Sequence, residues 1–307
     1  MKQIDELRKR KNNICFKISD ENKNLYASKL IKSAIVPDYA EYMKKKDAAL
    51  YPNEAAFLKE HFFDYTDFSD STLLNSDVFF KKCGDYIGYF ADPPSTVAYN
   101  DCVDFILARA QANKNVYTYV VNTLVSTFEH SGWEDVYLHI VEKYNETSTC
   151  SDNTLAKELN NTSSIIKSLK TGNKAAEIIA AGLNGKTQNL DSLNSKYTLV
   201  MFWASWCEYC EDAMPELKKI YETYKPKGFE IFAVSCDSIS EAWQTASKKY
   251  DVPWINTCDL KGFKSNAIIY YHIWQTPVFF LLDRDKKIIA KPLNPASILT
   301  QLKVLDF

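Results

Sequence analysis

The chain reads as two unlike halves, an all-helical region followed by an α/β region whose sheet is covered by helices. Three observations predict this. Up to about residue 145, apolar residues recur at helical spacing with little strand signal. After about residue 172, short strand-like runs alternate with amphipathic segments. The 307 residues include 19 Tyr and 17 Phe but only 8 Gly, which favours aromatic packing between helices over a Gly-rich β-fold. That length suits two domains better than one core.

In the first half, Pro52-Asn53 caps a helix over 54–62, and a further helix runs from about Asp77 to Phe90. Pro94-Ser95 starts another, with Val97, Val103, Phe105, Ile106 and Ala110 as its apolar stripe. Asn113-Lys114-Asn115 breaks it. Val116, Tyr119, Val120, Leu124 and Phe128 form the next stripe, which Ser131-Gly132 ends. Trp133, Val136, Ile140, Val141 and Tyr144 form a third. Short connections imply antiparallel neighbours, either a bundle or stacked hairpins, and no fixed-period repeat marks a solenoid.

Residues 145–173 are rich in Asn, Thr, Ser and Lys, yet Leu155, Leu159, Ile165, Ile166 and Leu169 keep helical spacing. A connecting helix over about 152–170 is expected, with the domain boundary near Gly172: a helical domain over 1–171 and a second domain over 172–307. In the latter, Asn184-Gly185 is a hairpin signal. Then come a strand (197–204), a helix (209–224), a strand (229–234), a helix (239–249), a strand (278–282), the turn Asp283-Arg284-Asp285, a strand (287–290) and a closing helix (296–304).

Net charge is −2, so nothing points to nucleic acid or an anionic membrane face. Eight irregularly spaced cysteines are no disulfide scaffold. The longest apolar runs are too short to span a bilayer. Met1-Lys2-Gln3-Ile4-Asp5-Glu6 is too polar for the core of a signal peptide. Either the protein is cytosolic or a leader has been trimmed away.

Cys207-Glu208-Tyr209-Cys210 carries the chemistry. The pair lies where the strand ending near Ala204 gives way to a helix, so its thiols face the positive end of a helix dipole and free N–H groups, which favour the thiolate. A second thiol one turn away completes the minimum for thiol–disulfide exchange. A C-x-x-C pair is also half of a zinc site. The other cysteines (Cys15, Cys83, Cys102, Cys150, Cys236, Cys258) form no second pair, which favours redox chemistry. His61, His130, His139 and His272 are scattered and read as packing or surface residues, with no metal expected. Cys236 and Cys258 read as small buried or loop thiols, although a regulatory pair stays open. The sequons at Asn145, Asn160 and Asn161 read as chance in a polar stretch.

Three segments in order carry a family. Phe202-Trp203-Ala204-Ser205-Trp206-Cys207-Glu208-Tyr209-Cys210, Met214-Pro215-Glu216-Leu217 and Gln275-Thr276-Pro277-Val278-Phe279-Phe280-Leu281-Leu282-Asp283 resemble the TlpA/ResA-type thiol–disulfide oxidoreductases. The resemblance covers about residues 175–307 and implies a thioredoxin fold, a central mixed sheet flanked by helices. It implies that Cys207 is the exposed attacking thiol, Cys210 the buried resolving thiol, Thr276-Pro277 a cis-proline pair facing the substrate chain, and Pro215 the proline that kinks the active-site helix. The upstream half, clearest at His61-Phe62-Phe63-Asp64-Tyr65-Thr66-Asp67-Phe68-Ser69-Asp70, resembles the helical domain of unknown function that precedes thioredoxin-like domains in Bacteroidetes envelope proteins. A periplasmic or cell-envelope location follows from that resemblance.

Two departures stand out. Met201 occupies the place, six residues before Cys207, where many thioredoxins have a buried Asp that moves a proton. Water or Glu208 would then serve. Tyr209 stands where relatives commonly have Pro. Glu208 reads either as a tuner that raises the Cys207 pKa or as a solvated first-turn acid. Trp206 reads as an exposed surface for substrate chains, and Trp203 as core.

The expected activity is disulfide exchange with protein cysteines, as a reductant, with no cofactor beyond the cysteine pair and with an upstream redox partner to reset it. A partner-binding or scaffolding protein, with the helical half as its recognition module, is the alternative. A peroxidase fits poorly, because Ala204 and Val200 stand where peroxiredoxins place Thr or Ser and Pro.

Overall fold

The computed structural model describes residues 2–44, 50–147 and 153–305, without the side chains of 2–5 and 153. Met1 and Cys150 lie outside the described residues. The chain divides into two compact units, Met1–Ala156 and Lys157–Phe307.

The first unit is helical: α1 (Lys2–Glu21), α2 (Tyr26–Ser33), α3 (Tyr39–Tyr42), α4 (Glu54–His61), α5 (Val78–Phe90), α6 (Thr96–Ala110), α7 (Lys114–Phe128) and α8 (Glu134–Thr147). Side-chain caps set several of the starts. Asn53 accepts from Ala56 N–H, Ser95 from Ala98 N–H, and Asn113 from the N–H groups of Asn115 and Val116. Each such cap contributes about 1 kcal/mol. Gly132, at φ +83°, supplies the left-handed turn between α7 and α8. Helices α5 to α8 pack each on the next, and α5 also touches α7 while α6 touches α8, as stacked hairpins do. Aromatic rings fill this core. Tyr86 stacks on Phe105 with centroids 4.9 Å apart and donates its hydroxyl to Lys59 O at 2.9 Å. Arg109 lies 3.4 Å over the other partner of that stack, Phe105.

Helix α9 (Asn153–Ser168) runs across the division into the second unit, whose core takes in Leu169. There follow β1 (Ile179–Gly182), β2 (Thr187–Asn189), β3 (Tyr197–Trp203), α10 (Glu208–Tyr224), β4 (Phe229–Ser235), α11 (Ser240–Lys249), β5 (Ile255–Cys258), α12 (Asn266–Tyr270), β6 (Val278–Leu282), β7 (Ile288–Ala290) and α13 (Pro295–Val304). The seven strands form one mixed sheet in the order β2-β1-β5-β4-β3-β6-β7. This is the covered α/β sheet expected from the alternating pattern. The β1–β2 hairpin turns at Asn184-Gly185, with Gly185 at φ +73°.

Strand β3 lies at the centre, parallel to β4 and antiparallel to β6. Thr198 to Trp203 are all buried, which is why this strand reads as a continuous apolar run rather than an alternation. Trp203 is fully buried, and its indole N–H finds Asn256 Oδ1 at 3.1 Å; Trp243 Nε1 shares that oxygen at 3.4 Å. A buried indole N–H without such a partner would carry a desolvation cost, so Asn256 is the polar hinge of an otherwise apolar layer.

Candidate active site

The register of the central strands assembles the site. In the parallel β3–β4 pair, Trp203 lies opposite Ser235, so the chain leaves both strands at the same edge. In the antiparallel β3–β6 pair, Phe202 lies opposite Val278, so Thr276-Pro277 arrives at that edge immediately before β6 begins. Cys207, just beyond β3, therefore meets Thr276, the residue before Pro277, across 69 residues of sequence. Open α/β sheets place their sites at such carboxyl ends of strands.

Cys207 and Cys210 form a disulfide with Cα atoms 5.2 Å apart. Cys207 is the N-cap of α10: its backbone is extended (φ −94°, ψ 107°), and its sulfur accepts the N–H of Cys210 at 3.1 Å. The side-chain oxygen of an ordinary cap is here replaced by sulfur, which places Sγ at the positive end of the helix. Thr276 O lies 3.3 Å from the same sulfur, and the Thr276–Pro277 peptide is cis.

The exposure expected of Cys207 is narrow. Its residue surface is 8% exposed against 0% for Cys210, because Thr276 closes over one side of the sulfur. The exposed rim belongs to its neighbours, Trp206 at 61% and Tyr209 at 77%. Trp206 also approaches Phe263, with ring centroids 6.3 Å apart. Glu208 is exposed in the first turn of α10, and Pro215 lies inside that helix, where it removes the N–H that would bond to Glu211 O. Met201 is fully buried on β3, so the strand offers no carboxylate beneath the disulfide at that position.

One buried acid was missed in the sequence. Asp237, 2% exposed, accepts Ser205 N–H at 2.9 Å, Ser205 Oγ at 2.6 Å and Ser235 Oγ at 2.6 Å. It ties the loop that delivers Cys207 to the end of β4. The available signal was its position, two residues beyond a strand parallel to β3, level with the second residue beyond β3.

Four other thiols, Cys83, Cys102, Cys236 and Cys258, are buried, and Cys15 is half-buried. Burial pushes the Cys83 and Cys236 thiols up to about 12, and those of Cys102 and Cys258 upward too. For Cys236 the Asp237 carboxylate adds to this. Of the histidines, His61 pairs with Asp64 at 2.8 Å and His139 with Asp104 at 2.8 Å.

A mixed sheet with a C-x-x-C disulfide capping a helix, and the carbonyl that precedes a cis-proline against its first sulfur, defines a thioredoxin fold with a redox pair. Residues 171–291 match the AhpC/TSA family, and residues 50–168 match a domain of unknown function, DUF5106. Thiol-disulfide oxidoreductase ResA of Bacillus cereus is 34% identical over 123 residues, 40% of this chain and 69% of the relative. ResA of Geobacillus kaustophilus is 26% identical over 130 residues, 41% of this chain and 73% of the relative. The structure of a thioredoxin-like protein from Bacteroides caccae, 19% identical, superposes with a TM-score of 0.60 over 85% of this chain and 97% of that one. The chain belongs to the ResA-like thiol–disulfide oxidoreductases and is an enzyme of that class, with a DUF5106 domain ahead of its thioredoxin-like domain. No helix among the described residues is long and apolar enough to cross a membrane.

Proposed function

We propose that the chain reduces disulfides of protein substrates through Cys207 and Cys210. The Cys207 thiolate attacks one sulfur of the substrate disulfide, forming a mixed disulfide and expelling the other sulfur as a thiolate, which takes up a proton. Cys210, as its thiolate, then attacks the Cys207 sulfur. The second substrate thiolate leaves, and the Cys207–Cys210 bond forms. Two electrons pass to the substrate, and an upstream dithiol partner returns them. No further cofactor enters this scheme.

The observation that carries the assignment of Cys207 as the attacking thiol is the position of its Sγ as the cap of α10, hydrogen-bonded by Cys210 N–H; the reducing direction rests on the family resemblance. That environment stabilises a thiolate at Cys207 in the reduced enzyme. With Met201 in the strand, water or Glu208 takes the proton of Cys210. Thr276 and Pro277 offer backbone groups to the substrate chain, and Trp206 and Tyr209 offer apolar surface beside it. The family resemblance supports a periplasmic or cell-envelope setting.

A redox titration against dithiothreitol, followed by the fluorescence of Trp206 and its neighbours, tests the direction. A reductant has a potential at or below about −200 mV, and a value near the −120 mV of a strong oxidant contradicts the proposal.

A further inference from the structure

The helical unit holds a cleft of about 660 Å³, between α1, α2, α4 and α5. Its size falls within the range of small-molecule sites, about 300–1,000 Å³. Leu30, Leu58, Phe62 and Phe90 supply apolar walls, and Lys82 lines the same cleft.

Lys82 is the unusual member. It is 9% exposed, and its ammonium lies 4.8 Å over the Phe62 ring. Among the described residues it makes no hydrogen bond and no ion pair. A buried ammonium in that condition is costly. Burial pushes its pKa down to about 8, and the positive charge of Lys11 adds to that push while Asp85 opposes it. The other charges around the cleft are engaged or solvated. Arg8 pairs with Glu54, Lys81 pairs with Asp77 at 2.6 Å, and Asp85 is exposed. The cleft therefore has apolar walls and two neighbouring cations, Lys82 inside and Lys11 exposed to solvent, of which the buried one lacks an anion.

We propose that this cleft binds an apolar carboxylate of the single-chain, fatty-acid type. The carboxylate pairs with Lys82 near Lys11, and the tail lies along Leu30, Leu58 and Phe90. The carboxylate supplies the anion that the buried ammonium lacks, and the charge of Lys11 beside it adds to the attraction. The tail contributes by removing apolar surface from water on both sides.

Titration calorimetry of the full chain with dodecanoate and with dodecanol, both below their aggregation concentrations, tests this. Dodecanoate is expected to bind one to one and more tightly than dodecanol. Lys82→Met keeps an unbranched side chain, one atom shorter and without the ammonium, and should weaken dodecanoate by about tenfold or more, the usual loss for a buried charge-assisted bond, while leaving dodecanol within about twofold. Leu58→Trp fills the cleft and should weaken both. Thermal unfolding of each variant checks that the helical unit is intact. Absence of saturable dodecanoate binding, equal binding of the two probes, or unchanged dodecanoate affinity in a folded Lys82→Met chain would each overturn the proposal.

Discussion

Cysteine chemistry in this chain is decided by a few ångströms of local environment. Cys207 sits on a helix end with an N–H aimed at its sulfur, whereas burial holds the thiols of Cys83 and Cys236 near 12, with the Asp237 carboxylate adding to the effect at Cys236. After full reduction at neutral pH, iodoacetamide should therefore modify Cys207 before any of the buried thiols. Peptide mass spectrometry over a time course reads the order, and Cys83 or Cys236 reacting ahead of Cys207 would remove the basis for calling it the attacking thiol. Glu208 gives a second residue-scale expectation. Its carboxylate follows Cys207 directly and opposes a second negative charge there. Glu208→Gln should lower the Cys207 pKa, stabilise the reduced form and raise the potential. The expected rise is about 10–30 mV, 30 mV being 1.4 kcal/mol for the two-electron couple. An unchanged potential would leave Glu208 as a solvated first-turn acid.

At the level of elements, the site is a consequence of strand register. Parallel pairing of β3 with β4 sets Asp237 beside Ser205, and antiparallel pairing with β6 sets Thr276 against Cys207. Asp237→Asn replaces an acceptor of three bonds by a group with half its acceptor capacity. It should cost about 1–3 kcal/mol of stability and slow insulin reduction several-fold, as the loop carrying Cys207 loosens. Denaturant unfolding followed by tryptophan fluorescence, with the insulin assay on the same sample, reads both; full stability with full activity would show that the clamp is idle. This dependence on register explains what the sequence made legible. The disulfide pair and the Thr276-Pro277 segment stood out because each has its own local residue pattern. Asp237 did not, because its role exists only once two strands are paired. Strand β5 was missed for a related reason. Ile255-Asn256-Thr257-Cys258 is short and polar at its centre, and its burial comes from β4 and β1 on either side. In α1 the many Lys, Arg and Asn residues dilute the apolar stripe, so a helix of 20 residues left only a weak signal. Helices α6 and α7, by contrast, combine clear stripes with Ser95 and Asn113 at their starts, and the predicted stripes lie on them.

On the scale of the molecule, the second unit has an apolar core of its own. It reaches back before the thioredoxin-like segment: Leu169 is 3% exposed in its core, and Ile288 exchanges backbone bonds with Gly172 and Asn173 at 2.8 and 2.9 Å. A chain of residues 157–307 should therefore fold alone and reduce insulin at close to the full-length rate, whereas one begun after Leu169 should be less stable by about 2–4 kcal/mol, the cost of losing a large buried aliphatic side chain. A folded but inert 157–307 would mean that the helical unit contributes to the chemistry. The most direct test of the central claim, that Cys207 attacks and Cys210 resolves, is capture of the mixed disulfide. Oxidised insulin is mixed with reduced Cys207→Ser or reduced Cys210→Ser full-length chain, quenched with acid and run without reductant. The account predicts a covalent insulin adduct, mapped to Cys207, in the Cys210→Ser chain and none in the Cys207→Ser chain. An adduct on Cys210 in the Cys207→Ser chain, or equal trapping by both, would contradict it.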